Sequence, residues 1–185
     1  MLNSNELGLL KVAEAHYAAL SQRGQEIDRL RRVPQDLAEQ LAAEGFYRVI
    51  TPVELGGLGY SPEALCRICE TLGTANGSVA WCIFIGCTSQ YLLGALPSSQ
   101  LEKMLASRNL ITSGVFADSG TALFQERNGQ PGYVISGHWR WGSGCRNATW
   151  ISGGIHEIDS AGNPVNRDAP LSRAFFQPND IQIQD

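Results

Sequence analysis

Apolar residues recur first at helical spacing and later in alternation. Over residues 6–20, Leu7, Leu10, Ala13, Ala15, Tyr17 and Ala18 fall near one helical face, which predicts an amphipathic helix. Residues 25–32 are charged and read as a surface turn or a short helix. Val33-Pro34 opens a second helix with the proline in its first turn; Leu37, Leu41 and Phe46 mark its buried side and Gly45 its stop. Ser61-Pro62-Glu63 supplies an N-cap, a first-turn proline and an early acid ahead of a helix reaching Leu72. Between Glu70 and Glu102 there is no charged residue. Residues 78–96 could span a bilayer by length alone. Gly86, Thr88, Ser89, Gln90 and Gly94 interrupt that run at its middle, so it reads as a buried central helix. Ser99 and Glu102 stand at capping-box spacing for one more helix, ending near Ser107.

From Leu110 the period shortens. Residues 110–116, 123–127, 132–136, 138–141, 149–153 and 173–177 read as short strands separated by glycine or asparagine turns, with Asn128-Gly129 a hairpin turn. The expected class is α+β: an all-α domain over residues 1–108, then an antiparallel β domain over residues 109–185.

Composition narrows the function classes. A chain of 185 residues, 43% hydrophobic and 17% charged, has the make-up of a soluble globular protein. Net charge is −4, and the only basic cluster is Arg29, Arg31 and Arg32. That balance argues against a nucleic-acid partner, which needs a concentrated basic face. Five cysteines at irregular spacing favour reduced thiols and a cytoplasmic setting, and the first residues lack the unbroken apolar run of a secretory signal. Cys66 and Cys69 form C-x-x-C without a second ligand pair, so no metal site is expected.

Two stretches carry candidate chemistry. Residues 51–60 hold Pro52 and three glycines, the composition of a loop whose backbone goes where side chains would block it. Gly137-His138-Trp139-Arg140-Trp141-Gly142-Ser143-Gly144-Cys145 concentrates flat aromatic faces, glycines that admit close backbone approach, and one hydroxyl. Such a set suits a planar heteroaromatic ligand. It also suits a plain β-sheet core, with Trp139, Trp141 and Trp150 alternating inward.

Three motifs extend this to a family. Pro52-Val53-Glu54-Leu55-Gly56-Gly57-Leu58-Gly59 resembles the P-x-E-x-G-G-x-G loop of the acyl-CoA dehydrogenase superfamily. Gly137-x-Trp139-x-Trp141-x-Ser143-Gly144-Cys145, followed by Ala148-x-Trp150, resembles the G-x-W-x-[FW]-x-S-G-C…A-x-W pattern of its flavin-dependent monooxygenases, the branch of p-hydroxyphenylacetate hydroxylase oxygenase components and dibenzothiophene monooxygenase. Gly77-Ser78-Val79-Ala80-Trp81 resembles that branch's G-S-T-A-W helix start. The family fold has a helical domain, a β-barrel domain and a C-terminal four-helix bundle. The resemblance covers the first and part of the second, so the chain reads as a truncated member or an N-terminal fragment with an incomplete barrel and no bundle. In the family that bundle carries much of the tetramer interface, so a homo-oligomer is implied only where it is present.

The resemblance implies an oxygenase component that takes reduced FMN or FAD from a separate flavin reductase and oxidises a small aromatic or polycyclic substrate. From charge and hydropathy, no nucleic-acid or membrane partner is expected. Trp141 matches the aromatic against the isoalloxazine. Ser143 matches the catalytic residue whose hydroxyl and N–H meet the flavin N5 and O4 edge and preserve the C4a-hydroperoxide, since peroxide loss requires proton transfer at N5. Phe116, Ala117, Ser119 and Gly120 match the strand and turn bordering the pyrimidine side, while Trp139 and Arg140 match supporting positions. Trp81 and Thr88 match the substrate pocket. Thr88 stands where the branch often has a histidine, and Asn147 stands where another is common. An acyl-CoA dehydrogenase with FAD is an alternative, although residues 116–120 lack that subfamily's T-E-P-x-A-G-S-D run. A non-catalytic remnant or an interaction module with exposed strand edges is the other. No dinucleotide-binding glycine fingerprint is present.

Overall fold

The computed structural model describes residues 1–107, 109–166 and 172–184; Arg108 and Asp185, which bound the two expected domains, lie outside the described residues. Seven helices are described: α1 (Ser4–Ala15), α2 (Tyr17–Gln22), α3 (Gly24–Leu30), α4 (Gln35–Ala43), α5 (Pro62–Ala75), α6 (Gly77–Ser89) and α7 (Ser98–Leu105). Four strands follow: β1 (Thr112–Arg127), β2 (Gln130–Gly137), β3 (Trp150–Ile158) and β4 (Ser172–Phe176). The order of helices then strands is the α+β arrangement that the change of period predicts.

The first predicted helix is two helices. The break falls at His16, whose Nε2 meets Glu44 Oε2 at 2.6 Å while its ring stands edge-on to Phe46. The buried face is Glu6, Leu9, Ala13, His16 and Leu20, and Leu7 and Tyr17 are exposed. A polar residue with a fixed partner thus takes a core position that an apolar count assigns to its neighbours. Glu6 is buried for a reason visible in its contacts. One carboxylate oxygen accepts the Asn3 N–H at 2.7 Å, completing a capping box on α1; the other accepts the Ser61 N–H at 2.8 Å, at the N-cap of α5. A single side chain therefore joins two helix starts.

The glycine-rich loop has a steric cause. Gly56 and Gly59 adopt left-handed backbone, and a Cβ on Gly57 would collide with the Thr51 carbonyl. Ser61 caps α5 by accepting from the Ala64 N–H at 3.2 Å, as expected. The buried side chains of α6 include Val79, Ile83 and Cys87, and the helix packs on α5, β1 and the turn at Phe46–Arg48. Gly86 is small because the Tyr47 ring stands 2.6 Å from where its Cβ would be. The helix yields to a 3-10 turn over Gln90–Ala95, short of the expected end. The capping box at Ser99 and Glu102 does not form. Pro97 takes the cap position, its carbonyl accepting from Gln100 and Leu101, and Ser99 lies inside α7.

The sheet order is β2-β1-β3-β4. β1 runs unbroken through two predicted strands, and Asn128-Gly129, both at positive φ, turn it into antiparallel β2. The pairing of β3 with β4 is also antiparallel, but β1 and β3 are parallel, so the sheet is mixed. The cause is the intervening segment, which crosses from one side of β1 to the other instead of turning back. Residues 138–141 accordingly leave the sheet and form no strand. Ile111, Ala148 and Ile151 join the helical core, so one apolar cluster spans both halves.

Two predictions follow from these contacts. Gly57→Ala is expected to lower unfolding stability by about 2 kcal/mol or more through its collision, and Gly56→Ala, with open space around it, by only about 1 kcal/mol of backbone strain; paired denaturant titrations measure both. Backbone hydrogen bonds from Ser61 first and Asn3 second hold the Glu6 carboxyl below the usual glutamate range. Its contribution is therefore complete above the unfolded-chain value of about 4.3 and is lost as pH falls through its lower folded value. Melting followed from pH 6 to pH 3 is expected to fall less steeply in Glu6→Gln than in the wild type.

Candidate functional site

The segment between β2 and β3 is built by one insertion. Trp139 turns under the sheet, where its indole N–H donates to the Gly154 carbonyl at 2.8 Å. Gly120, Gly137 and Gly153 make room for its ring, since a Cβ on any of them would run into it. Phe176 closes the far side at a centroid distance of 5.4 Å. With Trp139 anchored, the next turn of chain is pushed outward. Trp141 adopts φ +66° and is 93% exposed. A bulky side chain in left-handed backbone costs of order 1–3 kcal/mol, and an exposed indole adds unburied apolar surface. Both costs are concentrated on one residue.

Ser143 follows in a tight turn. Its amide N–H donates to the Trp141 carbonyl at 2.9 Å, and its carbonyl accepts from the buried Ser113 hydroxyl at 2.7 Å. Its hydroxyl oxygen accepts the Trp81 indole N–H at 2.9 Å. The Trp81 ring is 53% exposed and stacks on Phe84 one turn along α6, at 5.8 Å and 18°. Beyond Gly144, also at positive φ, Asn147 is buried and its side-chain amide donates to the Val33 carbonyl at 2.9 Å. Thr149 and Trp150 both donate backbone N–H groups to the Ile111 carbonyl. The loop is thus tied to α6, to the start of α4 and to the chain entering β1.

A cavity of about 460 Å³ opens beside this loop. One wall is Trp141, Ser143 and Cys145; the facing wall is Ile27, Arg31 and Arg32, with Cys82 of α6 also in the lining. Burial pushes the Cys82 thiol up to about 11, with Cys145 adding to it, and also raises Cys145. Both sulfurs are neutral near pH 7 and act as soft apolar walls. Among the described residues no group of three or more His, Cys, Asp or Glu side chains stands where it could hold a metal ion.

The predicted site residues separate into groups. Trp81 meets Ser143 at its hydroxyl, and Trp141 lines the cavity together with Ser143, whereas Trp81 does not line it. Phe116 lies on β1, 56% exposed, with the Arg173 guanidinium 3.9 Å above its ring and donating to the Val115 carbonyl. Ala117 and Ser119 are exposed at a bulge where the β1–β3 register shifts, and Gly120 is covered by Trp139. These four residues do not line the cavity. Neither does Thr88, whose hydroxyl donates to the Phe84 carbonyl of its own helix at 2.9 Å. Sequence reasoning missed Ser113, Arg173 and the wall from α3. The basic cluster at Arg29, Arg31 and Arg32 was the available signal for that wall; nothing in the spacing pointed to the other two.

Comparison with known proteins identifies the family and the fold. The family profile described as acyl-CoA dehydrogenase, N-terminal domain, matches residues 10–106. The indole-3-acetate monooxygenase of Acinetobacter baumannii is 33% identical over 82% of this chain and 39% of its own length. The oxygenase subunit HsaA of a flavin-dependent monooxygenase from Rhodococcus jostii is 30% identical over 83% of this chain and 39% of its own length. The crystal structure of 3-HSA hydroxylase from Rhodococcus sp. RHA1 superposes with a TM-score of 0.82 at 26% identity, over 96% of this chain and 45% of that one. The chain thus spans about two-fifths of the length of the curated relatives it matches. With more than half of its residues inside the family profile and its fold shared along nearly its whole length, the chain belongs to the acyl-CoA dehydrogenase superfamily, on the branch that holds the flavin-dependent monooxygenases.

Proposed function

We propose that this chain forms the flavin-edge half of an oxygenase component that uses reduced FMN or FAD and O2 on a small aromatic substrate, with a separate reductase supplying the flavin. The observation that carries the proposal is the strained, exposed Trp141 next to a Ser143 hydroxyl whose hydrogen has no acceptor among the described residues. A protein has little reason to hold an indole in left-handed backbone and in water unless something flat covers it. The residues present fit a flavin, an apolar heterocycle with polar atoms along one edge: the exposed Trp141 indole and one hydroxyl held by the half-exposed Trp81.

When bound, a reduced flavin supplies the two electrons that activate O2. The residues of this chain have three tasks. Trp141 gives one ring face a dry apolar surface and positions it. Ser143 presents an O–H at the polar edge, and a fixed hydrogen bond there slows proton movement at that edge. The neutral thiols of Cys82 and Cys145 keep the neighbouring wall apolar and hinder water entry. By the sequence resemblance, Thr88 and Asn147 stand where the family pattern often has histidines. Neither titrates near neutral pH, and both spend their polar groups on the fold. Acid–base work on the substrate therefore falls to groups other than these two. A cytoplasmic setting agrees with the reduced cysteines.

The test is an anaerobic titration of the purified chain with reduced FMN and with reduced FAD, followed by tryptophan fluorescence. Saturable quenching is expected with at least one flavin, and Trp141→Ala is expected to weaken it about tenfold or more, the worth of one stacked aromatic face. Absence of saturable quenching with both flavins, in a chain that melts cooperatively, overturns the proposal.

A further inference from the structure

We infer that His156, oriented by Asp118, is a general base on the face of β3 that carries Gly154, and that with Arg173 it binds a ligand bearing a weakly acidic hydroxyl, such as a phenol, as its anion. None of Phe116, Asp118, His156 and Arg173 lines the cavity beside Trp141, so this site stands independently of the flavin reading.

Strand register brings the groups together. Asp118 pairs with Gly154 of β3, and Gly154 pairs with Arg173 of β4, so one row crosses three strands with no side chain at its centre. His156, two residues beyond Gly154, lies on the same face and diagonally opposite Arg173, about 7–8 Å away along the backbone. The register shifts on both sides of Asp118, and this bulge brings its carboxylate to 3.1 Å from His156 Nδ1. The Arg173 guanidinium lies 3.9 Å above the Phe116 ring and gives one N–H to the Val115 carbonyl. No carboxylate pairs with it among the described residues, so most of its donors face outward. An ionised carboxylate only accepts. Asp118 therefore holds the neutral imidazole as its Nδ1–H tautomer, with the Nε2 lone pair left for a ligand at a side chain 36% exposed. The other two histidines lack this arrangement. His16 is buried with Nε2 against Glu44, and His138 has no hydrogen-bond partner among the described residues. The step moves one proton. The ligand O–H gives its hydrogen to Nε2, the imidazolium keeps its Nδ1–H on Asp118, and the oxyanion stays beside the new N–H and the Arg173 guanidinium. Asp118 and Arg173 are the charged groups that face the ring. Glu157, next in sequence, points to the opposite face, where it accepts the Tyr133 hydroxyl at 3.4 Å.

Two measurements test this. The first needs no ligand: in the 15N-labelled chain, above the imidazole titration, His156 is expected to carry its hydrogen on Nδ1. In Asp118→Ala the hydrogen is expected to move to Nε2, the form that free histidine favours in water. Nε2–H in the wild type, or an unchanged ring in Asp118→Ala, overturns the inference. The second uses p-nitrophenol at pH 6, where the free probe is mostly protonated and its anion is yellow. Saturable growth of the anion absorbance is expected with the wild-type chain. His156→Gln and Arg173→Gln are each expected to weaken it about fivefold, the worth of one charge-assisted hydrogen bond reduced by exposure. No saturable anion absorbance, or absorbance unaltered by either substitution, overturns the inference. Amide shifts on probe binding are expected to centre on Asp118, His156 and Arg173; shifts centred on residues 141–145 place the probe in the cavity and overturn the inference, with the flavin reading left standing.

Discussion

The parallel pairing of β1 with β3 is the constraint on which the site depends. Antiparallel neighbours can be joined by a two-residue turn, but a parallel pair needs a crossover. Here the crossover comprises β2 and the segment after it, which passes from one side of β1 to the other. Among the described residues that passage contains no helix of its own. It is stabilised instead by Trp139 filling a pocket of glycines beneath the sheet, and by Asn147 and Thr149 fastening its exit to the helical half and to Ile111. Between those anchors, the chain from Trp141 to Gly144 is left to bulge toward α6. The placement of Ser143 against Trp81 is a consequence of this topology.

Near Ser143 the candidate site offers shape and hydrogen bonds alongside charged groups. The cavity wall beside Ser143 carries two thiols that burial keeps protonated, and the hydroxyl of Thr88 is turned back on its own helix. Charged groups line the cavity on both sides, Asp28, Arg31 and Arg32 on one and Arg146, next to Cys145, on the other. Trp141 stays exposed on the same side of the loop, as the proposed flavin face requires.

The helical half was legible where local chemistry decides structure. Ser61 with Pro62, Gly45 after α4, and the glycines of residues 51–60 each do what their residue types require of the backbone next to them. Legibility failed where a distant partner overrode local preference. His16 breaks a helix because Glu44 and Phe46 receive its ring, and Glu6 is buried because Ser61, far along the chain, needs an acceptor. Pro97 displaced Ser99 as a cap, a local competition in which a residue without an N–H took the position where none is needed.

The same division runs through the candidate site. Sequence alone determined that residues 137–150 hold the glycines, tryptophans and serine of a family pattern, because these residue types are set by what each must fit against: ring against glycine, backbone against tight turn. Only the tertiary structure decided that Trp139 points inward and Trp141 outward, that the Ser143 amide is consumed within its turn, and that α6 brings an indole N–H to its hydroxyl. Those outcomes depend on a parallel strand pairing and on contacts between residues as far apart as Trp81 and Ser143. Neither spacing nor propensity encodes them, because hydrogen-bond direction is settled only when both partners are in place.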